Sequence, residues 1–199
     1  MRWVRAVLWW SFVPGMVCGI AIGWAAQQLP YVDWREVIAP VDQDQLLLRH
    51  DAKGDGRFGA PRSGNRRHRG VDIEAPLGSP VRSIRSGRVI ASGKHRGLGR
   101  YLELEHRDHV RSLYAHLETM AVDVGDRVRQ GQLIGTVGKT GNARSPLITP
   151  HLHLEILHGG EPVDPAMLGL ALVEPAAVSG GSQKTVLGDA EEGRADGGE

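Results

Sequence analysis

Apolar and polar residues alternate at period two in three stretches of the chain: Tyr101-Leu102-Glu103-Leu104-Glu105-His106, Arg111-Ser112-Leu113-Tyr114-Ala115 and His151-Leu152-His153-Leu154-Glu155-Ile156. That period places successive side chains on opposite faces of a pleated strand. Shorter apolar groups at Val81, Val89-Ile90, Val122 to Val124, Val128 and Leu133-Ile134 predict further strands, set off by turns at Ser86-Gly87, Val124-Gly125-Asp126 and Gln130-Gly131. No segment beyond residue 60 keeps a 3.6-residue period, so a mainly β domain is expected over residues 54–168.

The N-terminus has a different pattern. Ala6 to Ala26 carries no charge over 21 residues and follows Arg2 and Arg5. As a helix it would be roughly 31 Å long, close to the ~30 Å hydrocarbon thickness of a bilayer. Residues 1–28 therefore read as one transmembrane helix whose leading arginines keep the N-terminus in the cytoplasm and export the rest. A cleaved signal ending near Gly23-Trp24-Ala25 is the competing reading, and it exports the domain equally. Residues 29–53, with Pro30 and Pro40, read as a polar connector that spans at most about 85 Å when extended. Residues 169–199 read as a disordered acidic tail: from Glu174 to Glu199 there are 6 acidic and 2 basic residues and no aromatic.

The formal charge of +1 conceals a local excess, since residues 53–111 hold 14 Lys/Arg against 6 Asp/Glu. Arg62, Arg66, Arg67 and Arg69 are the densest part, suited to steering acidic ligands. Nucleic acid is not expected there, because aromatic stacking partners are absent nearby and the chain reads as exported. The single cysteine, Cys18, lies in the apolar N-terminus, so the domain has neither a disulfide nor a thiolate chemistry of its own.

Histidine supplies the candidate chemistry. His68-Arg69-Gly70-Val71-Asp72 sets an imidazole and a carboxylate four residues apart. His151 and His153 sit at i and i+2 of a predicted strand, hence on one face, where two imidazoles are costly to bury without a metal or a shared proton. His116 adds an imidazole near a strand end. His68, Asp72 and one of His151 and His153 would supply three N/O ligands, the number found in catalytic zinc sites that keep an open position. Spacing alone does not say which of the two histidines that is.

Phe58-Gly59, His68-Arg69-Gly70-Val71-Asp72, Ala75-Pro76-Leu77-Gly78-Ser79-Pro80-Val81, Tyr114-Ala115-His116-Leu117, Gly131-Gln132-Leu133-Ile134-Gly135, Thr140-Gly141-Asn142, Pro150-His151-Leu152-His153 and Val163-Asp164-Pro165 follow a recognisable order. In that order the chain resembles the lysostaphin-type (LytM-like) zinc metallopeptidases from about Phe58 to Pro165. The resemblance implies an antiparallel β-sheet with a loop-walled groove. It further implies Zn2+ held by His68, Asp72 and His153, with His116 and His151 as the catalytic pair. The implied activity is endopeptidase cleavage of peptidoglycan peptide cross-links through a zinc-activated water, on the periplasmic or outer side of the cytoplasmic (inner) membrane. D-alanyl links to diaminopimelate are the expected bond. The alternative is a catalytically silent relative that binds peptidoglycan and activates a separate amidase.

Other motifs fall away. Gly138-Lys139-Thr140 lacks the phosphate-loop glycine, Leu133 standing in its place, and there is no HExxH or GxSxG. His50, His95, His106, His109 and His158 read as exposed or loop residues without ligand partners. Nothing in the pattern sets an oligomeric state.

Overall fold

The computed structural model describes residues 36–175. The expected membrane helix over residues 1–28 and most of the expected tail lie outside them. Among the described residues no helix is long and apolar enough to cross a membrane.

Nine strands make the main sheet: β1 (Val71–Glu74), β2 (Pro80–Arg82), β3 (Gly87–His95), β4 (Gly99–Glu105), β5 (Val110–Met120), β6 (Arg127–Val128), β7 (Leu133–Val137), β8 (His151–His158) and β9 (Glu161–Val163). All pairings within it are antiparallel. Its path runs β6-β3-β4-β5-β7-β2, with β8 joining β5 to β1 and β9. The alternating stretches all fall in long strands, and the only helical elements among the described residues are two 3-10 turns. Val122 to Val124, expected as a strand, is an irregular connection and turn.

One face of the sheet is the core. Ile73, Leu102, Leu104, Tyr114, Leu152, Leu154 and Ile156 are completely buried there, each Leu or Ile removing enough apolar surface from water to stabilise the fold by about 1.5–3 kcal/mol. Strand alternation puts Asp72, His151, His153 and Glu155 on the other face of the same strands. One polar network enters the core. His106, expected to be exposed or in a loop, lies in the loop just past the end of β4 and is buried there, its Nδ1 3.0 Å from the Ser86 carbonyl and its Nε2 2.7 Å from Ser112 Oγ, itself 3.0 Å from the Tyr114 hydroxyl. These contacts supply the hydrogen bonds that a buried imidazole needs.

The segment read as a connector is different from that expectation over its described part. Val37, Val41, Leu46 and Leu48 pack in the same apolar cluster as the sheet. Val41 bridges to Val81 and Leu48 to Ile73, while Leu46–Leu47 pairs in parallel with Leu172–Val173. Polar residues between these apolar positions masked a strap that buries every few residues. The C-terminal boundary shifts for the same reason: Leu170 is buried and Leu172 packs on the core.

Candidate metal centre

The in-register pair His153↔Asp72 joins β8 to β1, so these two side chains emerge side by side on the face away from the core. His68 arrives from the Pro61–Arg67 hairpin, its backbone N–H donating to the Ala60 carbonyl at 2.9 Å. Gly70 makes that approach possible. A Cβ at this position would overlap the Leu154 carbonyl, so the chain between His68 and Asp72 lies directly on β8 only as glycine.

Three atoms converge as a result. His153 Nδ1 is 2.8 Å from Asp72 Oδ1, His68 Nε2 is 3.1 Å from the same oxygen, and the two ring nitrogens are 3.1 Å apart. All three residues are buried. The outward nitrogens fix the neutral tautomers. His68 Nδ1 faces the Arg57 carbonyl at 2.8 Å and His153 Nε2 faces Glu155 Oε1 at 3.1 Å. Both partners only accept, so each ring carries its proton outward and turns a lone pair inward. Two lone pairs and a carboxylate oxygen within about 3 Å of one another need a cation between them, and this donor set with its outer hydrogen bonds suits zinc. With a proton as that cation, burial by itself lowers the His153 pKa, but the hydrogen bonds to Asp72 and Glu155 outweigh it and raise it to about 9. Burial likewise raises the Asp72 pKa, and its bonds to His153 and His68 more than reverse this, holding it well below the usual carboxylate range.

His116 and His151 complete the cluster. β5 pairs with β8 up to Ala115 and with β7 from Leu117 onward, and the ladder with β4 is also irregular between Tyr114 and Leu117. His116 stands at that change of neighbour with φ +62°, a left-handed conformation costly for a residue with a Cβ. The bulge aims its ring toward β8, 5.0 Å from the His151 ring and 5.8 Å from that of His153 between centroids. Its Nδ1 meets the Thr140 carbonyl at 2.9 Å, and His151 Nδ1 meets that of Thr149 at 2.7 Å. Both rings therefore keep Nε2 as the open acceptor. Burial, followed by repulsion from His151 and His153, lowers the His116 pKa to about 3. Burial also lowers that of His151, against the opposing pull of Asp72.

Three groups that the motifs did not reveal, Arg49, Asp51 and Glu155, hold this arrangement. Arg49, only 5 % exposed, reaches Asp72 Oδ2 with Nη2 at 2.9 Å and Asp51 Oδ1 with Nη1 at 2.7 Å. Asp51 Oδ2 accepts the Thr149 N–H at 3.0 Å, next to the carbonyl that holds His151. Arg49 thus neutralises the Asp72 oxygen that faces away from the cluster and ties it to the His151 loop. No motif spacing links Arg49 to Asp72, 23 residues away. Glu155, two residues after His153 on the same strand face, was within reach of the period-two pattern. Of the basic cluster, Arg62 Nη2 is 3.3 Å from Asp72 Oδ2 and Arg69 Nε 3.9 Å from Glu155 Oε2, while Arg66 and Arg67 bond to local carbonyls. All four line a groove of about 650 Å³ that contains the five candidate residues.

Comparison with known proteins agrees with this geometry. The profile of peptidase family M23 matches residues 66–165. Peptidoglycan DD-endopeptidase ShyB of Vibrio cholerae is 41% identical over 97 residues, which is 49% of this chain and 22% of that protein. Murein hydrolase activator NlpD of Salmonella typhimurium is 36% identical over 116 residues, 58% of this chain and 29% of that one. The chain thus spans less than a third of the length of either relative. Among solved structures, a zinc-containing peptidase from Vibrio cholerae superimposes with TM-score 0.54 at 34% identity, covering 70% of this chain and 41% of its own. A variant of the catalytic domain of the prophage-encoded M23 protein EnpA from Enterococcus faecalis gives TM-score 0.52 at 28% identity, covering 66% and 98%. The matched segment, the shared β fold and the His68-Asp72-His153 cluster establish that this chain belongs to peptidase family M23.

Proposed function

We propose that the chain is a zinc metalloendopeptidase that hydrolyses peptide cross-links of bacterial peptidoglycan, acting outside the cytoplasmic membrane from an N-terminal anchor at residues 1–28. The observation that carries this reading is the convergence in one groove of His68, His153 and His151 nitrogens within 3.9 Å of a single Asp72 oxygen, with the His116 ring 5.0 Å from that of His151. His68, Asp72 and His153 would hold the ion. Zinc bound there supplies Lewis acidity that polarises a carbonyl and acidifies a water. The protein does the rest. The groove takes the peptide, and its arginines draw in the acidic stems. Nε2 of His151 or His116, each with Nδ1–H fixed on a carbonyl, accepts the proton of the attacking water. Once protonated, that Nε2–H can donate to the developing oxyanion or to the leaving amine, while the second ring stays an acceptor beside it.

The relative named as a murein hydrolase activator supports a second reading, in which the domain binds peptidoglycan and switches on an amidase. Here every candidate position is filled by a residue competent in its role, which favours catalysis. Zinc content and muropeptide release by the full chain, beside a His153→Ala variant, separate the two. A hydrolase shows about one zinc per chain and new uncross-linked products, both lost in the variant. Amidase activation that survives in the variant, with no products from the chain itself, would instead establish the activator.

A further inference from the structure

Beyond the metal groove lies a second cavity of about 600 Å³. Gly97 and Asn142, which line the groove, are joined by the Asn142 N–H donating to the Gly97 carbonyl at 2.8 Å, and their chain neighbours Arg96 and Gly141 line the second cavity. Lys94, Arg96, Arg100, Lys139 and Arg144 line this cavity, with Glu118 as its single carboxylate. Glu118 is already engaged, its Oε1 3.3 Å from Arg100 Nη1, which also donates to the Glu118 carbonyl at 2.7 Å. The other four cations make no ion pair among the described residues.

The floor between them is fixed. Gly99 and Gly141 both have positive φ, +69° and +63°, and a Cβ on either would overlap the backbone of the facing turn. The Thr140 hydroxyl closes the same junction, accepting the Arg100 N–H at 2.9 Å and donating to the Leu117 carbonyl at 3.1 Å. The backbone that carries these cations is therefore fixed, and their summed positive field makes the cleft attractive to an anion.

The cleft also adjoins the groove. His95 lines both, and the Thr140 carbonyl that holds His116 belongs to the cleft wall. A chain lying in the groove beside His95 is therefore next to the cleft. We infer that the cleft is a subsite for free carboxylates of a peptide lying through the groove. Resting on the hydrolase reading above, that peptide is the carboxylate-bearing stem of peptidoglycan. Guanidinium and ammonium groups in the cleft pair with its carboxylates, while the cross-link lies over the metal cluster.

The test uses the full chain and a Lys139→Gln/Arg144→Gln double variant, with Lys139→Arg/Arg144→Lys as the charge-retaining control. Equilibrium binding is measured for a cross-linked stem-peptide dimer with free carboxylates, for the same dimer with those carboxylates amidated, and for a linear polyphosphate. The native protein is expected to prefer the free carboxylates by about tenfold, two partly exposed charge contacts each contributing severalfold. The Gln variant erases that preference by weakening only the carboxylate form, and the control keeps it. In turnover the loss appears in KM and leaves kcat nearly unchanged. Equal affinity of the native protein for both dimers overturns the subsite. Polyphosphate binding that is tighter than the free-carboxylate dimer and is lost in the Gln variant overturns the peptide as ligand. Binding is read without turnover, so the two readings fail separately. A protein that discriminates the dimers through Lys139 and Arg144 but cuts neither keeps the subsite and loses the hydrolase reading. One that cuts both dimers alike does the reverse.

Discussion

Arg49 shows how much of the site rests on a side chain that is neither a candidate ligand nor a candidate base. Its guanidinium lies between Asp51 and Asp72, both nearly as buried as itself. Removing one member of a buried ion pair leaves the other uncompensated, which costs about 3–5 kcal/mol. Arg49→Met should therefore lower the urea midpoint of the metal-free protein by a corresponding amount. Arg49→Lys should recover less than half of the loss, because an ammonium cannot reach both carboxylates with one planar fork. An Arg49→Met protein as stable as the native one would show that Asp72 has no need of this partner. The five residues singled out by motif, His68, Asp72, His116, His151 and His153, all reach one cluster in the structure, because each motif carries its own local geometry. Arg49 was illegible because its partner is set by tertiary packing alone, and His106 because a buried histidine with hydrogen-bonding neighbours looks the same in sequence as an exposed one.

At the scale of the element, β5 matters most. It is an 11-residue strand that serves two neighbours on one edge, and the transition between them falls at His116. Left-handed backbone at a non-glycine residue persists only where the surroundings impose it, and asparagine tolerates that region better than most side chains. His116→Asn is accordingly expected to fold with stability within about 1 kcal/mol of native and to bind zinc normally. Its turnover should fall by about 10²–10⁴-fold, the usual loss when a general base is removed. Thermal unfolding, zinc content and a muropeptide assay on one preparation check all three. Strong zinc loss in this variant would place His116 among the ligands instead. The strands themselves were legible wherever alternation ran for five residues or more. The bulge was not, since nothing in Tyr114-Ala115-His116-Leu117 announces a change of partner.

For the molecule as a whole, the strap of residues 36–53 belongs to the domain in both packing and function. It supplies four apolar side chains to the core and Arg49 to the site. Val41, 1 % exposed and bridged to Val81, is a direct probe of that role. Val41→Ala removes two buried methyl groups and should cost about 1–3 kcal/mol in denaturant unfolding. An unchanged midpoint would return the strap to the status of a connector. Its two short apolar groups, Val37 to Val41 and Leu46 to Leu48, are separated by Asp42-Gln43-Asp44-Gln45, which is why the segment reads in sequence as a polar connector.

The place of β8 in the sheet also determines when the cluster of candidate residues can form. Its partners begin 80 and 41 residues earlier in the chain, at Val71 and Val110, and it carries two of the five clustered residues. Such distant pairings form late, because the loops between them must close first. A chain emerging N-terminus first can complete its ligand set only after His153 has appeared and found β1. The cluster thus follows sheet assembly, so a partly made chain has no complete donor set.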